Sequence, residues 1–584
     1  MDYRELEQAE YDRKLRMVIV GSEGLHARAE NIGDNHATIG WGYTFNRNNN
    51  VAIWRATGLE LTQEQWRTLA AIDAAPIGDK TRIGLTFTRR VDAAESDRLL
   101  RASMEEYEIP ANRLRMPLSD ERIALVSLAY NRGVGMLNGV PRDNIPEHAV
   151  MDAIRDNDRA EAWFQMRYNC WGSRENYEDG LRKRRFAEAQ VFGLYDDPNN
   201  VTSEEARNIY RMYQLHRDEI DRVERNFGVT IDGEVAQRNR IAQANRDYPA
   251  LVNEYGSVPN VADALAPART VILRELRQEY PDLADRLTDA NFNAGRIYLD
   301  PGRDLQGRAE VDRQYPERTN KTQNREQRNS TTENVGQDHS TTIDSQRMSR
   351  GQNPQEITGN DLLIGQGGDD TLCSHRGDDI LIGGQGRDRM EGGQGRDTYV
   401  VGAGDTVLDT DGTGEVRWGG QPLTGGARLE ADPANTYRSE DGRFTYTLEG
   451  NNLTVTDTRG ADQGLREPVV IENFQSGQLG ITLSGSNGGG PRPRAEPERP
   501  GEPAGREDRR TGFTTGDRDL DRLAAALFAD DDAAVSRVSA QIGQSPQVQA
   551  FEQSGRDLVA AQQREELQQQ EKARQTQQGP VMRL

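Results

Sequence analysis

The sequence predicts a multidomain α+β chain. A mostly α-helical N-terminal domain carries a small β-hairpin, a helical middle module follows, then a repetitive β region with a β end piece, and last a helical tail. Three observations predict this. Helical apolar patterns fill roughly the first 290 residues, a nonapeptide recurs five times without a gap over 356–400, and polar stretches at 311–355 and 484–516 separate the blocks. At 584 residues the chain is about four times an average domain, so three to four domains are expected rather than a single compact fold.

Composition narrows the class. The apolar fraction is 34%, and 58 Gly bring the sum close to the globular norm, so real cores are affordable beside loose polar stretches. A net charge of −22 excludes a general nucleic-acid or anionic-membrane binder and suits a cation-binding protein. Two cysteines about 200 residues apart, Cys170 and Cys373, exclude a disulfide framework and a Cys-based zinc site. The first apolar run, MVIV, is four residues long, too short for a cleaved signal peptide. No stretch approaches the ~18 apolar residues of a membrane span. Export, if it happens, is expected to proceed from the cytoplasm without a cleaved leader.

In chain order, residues 1–197 hold most of the Trp and read as one folded domain. Over 202–228 a single helix is expected: Thr202 caps it with Glu205 as capping-box partner, and Ile209, Tyr213, His216, Ile220, Val223 and Phe227 form one face. It belongs to a structural helical module, 198–310. Residues 311–356 contain five apolar residues in 46, too few to offset ordering entropy, so 311–355 reads as a disordered linker. The β region and its end piece take 356–483, with a hairpin expected where Phe444, Tyr446 and Leu448 face Leu453 and Val455 across the turn EGNN. A Pro/Gly-rich linker occupies 484–516, and a helical tail 517–584, in which eight of the 17 residues from 562 to 578 are Gln.

The repeats are EITGNDLLI, GQGGDDTLC, SHRGDDILI, GGQGRDRME and GGQGRDTYV. Gly holds the fourth place (Gly359, Gly368, Gly377, Gly386, Gly395) and Asp the sixth (Asp361, Asp370, Asp379, Asp388, Asp397). The eighth is large: Leu363, Leu372, Leu381, Met390, Tyr399. Gly permits turn conformations closed to other residues, Asp supplies the hard oxygen that suits calcium, and the eighth side chain stacks inward. One repeat alone cannot bury that side chain, so the array folds as a unit. The pattern resembles the hemolysin-type calcium-binding (RTX) repeat. The resemblance implies a parallel β-roll holding Ca²⁺ with those five Asp carboxylates and backbone carbonyls near the five glycines. Asp361 with Asp379, Asp370 with Asp388, and Asp379 with Asp397 are expected to share ions. After 400 the period fails at VGAGDTVLD, and the roll is expected to end there. Extracellular modules of this kind bind at about 10⁻⁴–10⁻³ M, so the roll is expected to fold outside the cell.

Near the N-terminus, Glu23-Gly24 follows a helical run with Leu15, Val18 and Ile19 on one face, and Thr38-Ile39-Gly40-Trp41-Gly42-Tyr43-Thr44 forms a Gly-punctuated hairpin segment. A carboxylic acid at a helix end facing a hairpin with a second carboxylate is the arrangement glycoside hydrolysis requires. Two more blocks, LSDERIALVSLAYNRGVGML (118–137) and GLRKRRFAEAQVF (180–192), follow. In this order the three blocks resemble phage-type lysozymes, the glycoside hydrolase family 24 muramidases. The resemblance implies a helical domain with a β wing, Glu23 as general acid and Thr38 holding the attacking water. The family's usual Asp lies nine residues after the Glu, where Ile32 stands here. Asp34, in the turn GDNH, is the preferred replacement on a shifted wing. Glu30 is the second candidate, and the third is no second carboxylate at all.

Together the resemblances imply a secreted muramidase cleaving the MurNAc–GlcNAc bond of bacterial peptidoglycan, used against competing bacteria in the target periplasm or cell wall. A cognate periplasmic inhibitor (immunity) protein in the producer is expected, and no nucleic-acid partner. The tail is similar to type IV secretion recognition domains, while RTX proteins usually end in a type I signal. Type IV is favoured because the linker sets the tail apart. Two other classes compete: a catalytically inactive, glycan-binding adhesion protein that needs calcium, kept alive by Ile32, and a phage-derived structural lysozyme.

Overall fold

A computed structural model describes residues 1–33, 35–138, 146–171, 175–299, 342–344, 359–459 and 467–485. The chain divides into Met1–Gly488 and Gly489–Leu584, and the described residues all belong to the first unit. The expected Pro/Gly linker from 486 onward and the helical tail 517–584 lie outside the described residues, as does Asp34.

The N-terminal domain has two cores. The entry helix Gln8–Ser22 buries Tyr11, Leu15, Val18 and Ile19, the stripe its apolar spacing dictates. It packs on the central helix Asp120–Arg132, started by Ser119, whose side chain accepts the Arg122 N–H, and buried on every face from Asp120 to Tyr130. A closing helix, Glu175–Phe192, lies along the same central helix. The second core gathers Ile39, Tyr43, Phe45, Trp54, Leu69, Ile72 and Phe87 beneath the wing. That wing is a three-stranded antiparallel sheet, His26–Glu30, Thr38–Gly40 and Tyr43–Thr44. Glu23 stands where the entry helix leaves the first core and the chain crosses to the second.

The expected helix over 202–228 is two helices, Ser203–Leu215 and Arg217–Phe227. Thr202 caps the first as expected, accepting the Glu205 N–H. The break falls at His216, whose backbone leaves the helical region (φ −116°, ψ 14°). Its ring stacks on Phe164 at 3.7 Å and its Nε2 lies 2.8 Å from Glu161 Oε2, contacts to the N-terminal domain that turn the chain where spacing alone shows one continuous face. The module and the N-terminal domain share a single core. Arg167 and Glu224, both fully buried, pair across it at 3.1 Å, and the Tyr195 hydroxyl donates to the Ala264 carbonyl at 2.7 Å.

The repeats form two stacked parallel ladders. Leu362–Ile364, Ile380–Ile382 and Asp397–Val401 pair in one sheet, while Thr371–Arg376 and Arg389–Gln394 pair in the other. The eighth-place side chains Leu363, Leu372, Leu381, Met390 and Tyr399 fill the space between the sheets, all fully buried. The roll does not end at 400. Thr406–Leu408 pairs in parallel with Arg389–Glu391, and Gly414–Trp418 with Asp397–Val401. In VGAGDTVLD the Asp comes one residue early, in fifth place, yet the segment still lays a strand in register. Thr342–Asp344 also forms a strand, parallel to Thr371–Cys373, so part of the expected disordered linker 311–355 is ordered by edge pairing, while the rest of it lies outside the described residues. Val469–Glu472 ends the parallel ladder on one side and starts the antiparallel end piece on the other. That end piece contains the expected hairpin, Phe444–Glu449 against Asn452–Asp457.

Candidate functional site

Glu23 follows the last turn of the entry helix, its N–H bonded to the Ile19 carbonyl. Its side chain is 20% exposed. On the wing side, Gly42 has φ +89°, and a Cβ there would lie 3.0 Å from Glu23 Oε2, so glycine is needed both for the backbone and for the approach of the carboxylate. On the floor, Arg184 of the closing helix donates to Glu23 Oε1. Arg184 also donates to Glu188 Oε1 at 2.9 Å, and Ser127 of the central helix bonds the same oxygen at 2.6 Å. Burial disfavours the Arg184 charge, but Glu23 and Glu188 outweigh it and hold the guanidinium above its ordinary pKa.

The wing is locked above this carboxylate. The Tyr130 hydroxyl donates to the Trp41 carbonyl at 2.8 Å. Burial, with Tyr107 and Glu23 beside it, pushes the Tyr130 pKa well up, so it remains a neutral donor. Arg47 packs its guanidinium over the Tyr43 and Tyr107 rings and pairs with Glu106.

Of the other expected site residues, Thr38 is 1% exposed, and its Oγ1 is buried with no hydrogen-bond partner among the described residues. Such a hydroxyl is costly unless something polar completes it. Glu30 lies directly across the antiparallel pair from Thr38, which puts both side chains on one face of the sheet. Its carboxylate is 2.8 Å from His26 Nδ1. Ile32 is half exposed.

In the roll, the sixth-place Asp residues stack in two columns. Asp379 Oδ1 accepts the Asp361 N–H at 2.7 Å and Asp397 Oδ1 the Asp379 N–H at 3.0 Å. In the other column Asp388 Oδ1 accepts the Asp370 N–H at 2.9 Å, and Asp405 Oδ1 the Asp388 N–H at 3.0 Å. The Asp pairs expected to share ions are therefore neighbours on successive turns, and Asp405, which the nonapeptide count omits, extends the second column. Gly404 immediately before it was the available signal.

These oxygens fit a hard cation. Oδ2 of Asp379, Asp388 and Asp397 is buried with no hydrogen-bond donor among the described residues. A Cβ on Gly383 would come 2.4 Å from Asp388 Oδ2, and one on Gly386 only 1.9 Å from the Gly368 carbonyl, so the turns keep carboxylate and carbonyl oxygens close together and free of side chains. Among the described residues no three His, Cys, Asp or Glu side chains converge, so carbonyl oxygens must complete any coordination shell, as calcium readily accepts. Burial raises Asp379 to about 8, helped by the Asp361 charge, and raises Asp388 and Asp397 to about 7.

Residues 20–188 match the family described as phage lysozyme. Residues 358–381 and 375–408 match the RTX calcium-binding nonapeptide repeat. The chain fuses a phage-lysozyme domain to RTX calcium-binding repeats. The lysozyme domain makes it a lysozyme-type glycoside hydrolase whose substrate is peptidoglycan, and the RTX repeats bind Ca²⁺. The repeat match runs to 408, in step with the strand Thr406–Leu408. No curated protein matches the chain. A similar solved structure is the solution structure of the AlgE6R3 subunit from the Azotobacter vinelandii mannuronan C5-epimerase, 24% identical over 29% of this chain and 94% of that one, with a TM-score of 0.16. Among the described residues of this RTX-fused lysozyme, no helix is long and apolar enough to cross a membrane.

Proposed function

We propose that this lysozyme is an exported antibacterial effector whose N-terminal domain, 1–197, cleaves the MurNAc–GlcNAc bond of a competitor's wall, with Glu23 as general acid. The observation that carries the reading is the placement of Glu23: at the end of the entry helix, against Gly42 of the wing and on the Arg184–Glu188 floor, inside the span matched to phage lysozyme. Its carboxylic acid protonates the leaving glycosidic oxygen, and the oxygens of the wing hold water at the opposite face of the sugar. The unpartnered Thr38 hydroxyl supports its role as water holder. For the second carboxylate, Asp34, Glu30 and no second carboxylate at all remain the choices. The strand register favours Glu30, which faces Thr38, and single variants separate them.

The repeat Asp residues and neighbouring carbonyls hold Ca²⁺, and the roll, 356–483, folds outside the producer, where calcium is abundant. The helical module 198–310 connects the two. The tail 517–584 carries the export signal, read by a type IV or type I secretion machine, and the producer keeps a periplasmic immunity protein. A glycan-binding, calcium-dependent adhesion protein is the second reading, favoured by the half-exposed Ile32 where the family's second carboxylate stands. Digestion of purified peptidoglycan by the full chain in millimolar Ca²⁺, with mass analysis of the muropeptides, tests both. New MurNAc reducing ends support the enzyme, and tight wall binding without products supports adhesion.

A further inference from the structure

The first strand of the roll comes from the helical module. Ile297–Leu299 pairs in parallel with Leu362–Ile364, with Ile297 opposite Leu362. By this register Arg296, Asp361, Asp379 and Asp397 are successive rungs of one column, the first three just before their strands and Asp397 opening its own. Where the repeats place a carboxylate, the module places a guanidinium. Arg296 Nη1 lies 3.3 Å from Asp361 Oδ1, with side-chain exposures of 14% and 0%. A Cβ on Gly359 would come 3.0 Å from Arg296 Cζ, so the glycine turn that elsewhere clears space beside carboxylates here clears it for the guanidinium.

The strand is fixed from the module side. Gln214 bonds both the N–H and the carbonyl of Leu299, at 3.3 and 2.9 Å. Arg217 lies over the Tyr298 ring, 5.3 Å from its centroid, and Tyr298 is the first fully buried side chain of the roll's core. The outward residues of the next two turns, Leu362, Ile364, Ile380 and Ile382, share one core with the module's helices.

We propose that Arg296 is a built-in counter-ion that takes the place of a divalent cation at the first rung, making the helical module the cap on which the calcium roll assembles. Stacked buried carboxylates repel one another unless a cation lies between them. Asp379 has an Asp on both sides. Asp361 has Asp379 on one side and a covalently tethered positive charge on the other, so that end of the column is neutralised without drawing on dissolved calcium. Folding of the cap thus sets the register of the first turn and lowers the calcium needed to form the rest.

The inference rests on the reading of the ladder as the calcium site. The full chain is titrated with CaCl₂, following β signal by circular dichroism and hydrogen exchange of 359–400, for wild type, R296Q, R296K, D361N and R296Q/D361N. R296Q is expected to raise the calcium midpoint by roughly three-fold or more, because it removes the positive charge facing a buried carboxylate. R296K is expected to stay near wild type, and the R296Q shift to vanish when D361N is already present. R387Q, which removes an exposed Arg387–Glu467 pair on the same roll, is the control and should not move the midpoint. Exchange protection at saturating calcium shows that each variant still folds. An unchanged R296Q midpoint, or the same shift with and without D361N, overturns the role of Arg296. A roll that binds no calcium in any variant overturns instead the ladder reading itself.

Discussion

Arg184, at the middle of the closing helix, donates to the Glu23 carboxylate 161 residues earlier in the chain. The buried guanidinium joins the proposed acid to Glu188 and, through it, to Ser127 of the central helix. Glu23 is thereby held by the domain's core rather than by the loop it starts.

Glu23→Gln keeps the shape and one oxygen for Arg184 but has no proton to give. Lysis of peptidoglycan should fall by roughly 10²–10⁴-fold, with thermal unfolding changed little. Wall digestion at near wild-type rate by the Gln variant removes Glu23 from the acid role.

In the proposed reaction the second half of the chemistry falls to the wing. Thr38→Val replaces the buried, unpartnered hydroxyl with a methyl of similar size, so turnover should drop while stability holds or rises. Of Glu30→Gln and Asp34→Asn, the variant that abolishes lysis identifies the carboxylate that activates water. Full activity in both leaves Thr38 as the wing's only contributor.

Much of this was legible in sequence because period and chemistry coincide. Gly and Asp recur at fixed places, so the folding unit and its inward stack follow from counting, and the RTX resemblance implies the parallel roll and its paired carboxylates. Glu23 and Thr38 are singled out by the three-block resemblance to phage-type lysozymes, since a Glu after a helix and a Thr in a Gly-rich hairpin are by themselves ordinary surface residues. Arg184 and Arg185 read from the sequence as structural or substrate-groove charges, but an arginine in a basic stretch gives no sign that the fold buries it against the Glu23 carboxylate. The break at His216 was hidden because its cause, the Phe164 ring, is distant in sequence. Asp405 falls outside the nonapeptide count because it comes one residue early in its segment, and Arg296 because Asp361 lies 65 positions away across a polar stretch.

Close stacking of the turns makes a steric prediction. A methyl group at Gly386 would meet the Gly368 carbonyl at 1.9 Å, and φ there is +128°. Gly386→Ala should therefore destabilise the roll by about 2–4 kcal/mol and move its calcium midpoint upward. Gly420→Ala, also at positive φ but with open space around it, should cost less, about 1 kcal/mol. Equal effects would mean that the turns do not pack as closely as described.

The carboxylate columns tie the roll to pH as well as to calcium. Burial raises Asp379 to about 8, Asp388 and Asp397 to about 7 and Asp405 to about 6, against an ordinary value of 3.8. With folded values above the unfolded one, the calcium-free folded roll holds more protons than the unfolded chain. Its stability is fully present below about pH 4 and is lost as pH rises through 6 to 8. Calcium reverses the trend by taking the place of those protons. In chelator, circular dichroism of the full chain should show the roll's thermal transition falling from pH 5 to pH 8. In millimolar Ca²⁺ the transition should be restored at pH 7–8, with Mg²⁺ a poor substitute because it demands a tighter octahedron. Calorimetric titration in buffers of different ionisation enthalpy should register protons released as calcium binds at pH 7. Asp379→Asn should release fewer protons and lose more than one ion's worth of binding, since that side chain adjoins both Asp361 and Asp397. A roll equally stable in chelator at pH 5 and pH 8, or calcium binding with no proton release, would show that something other than these buried carboxylates holds the ion.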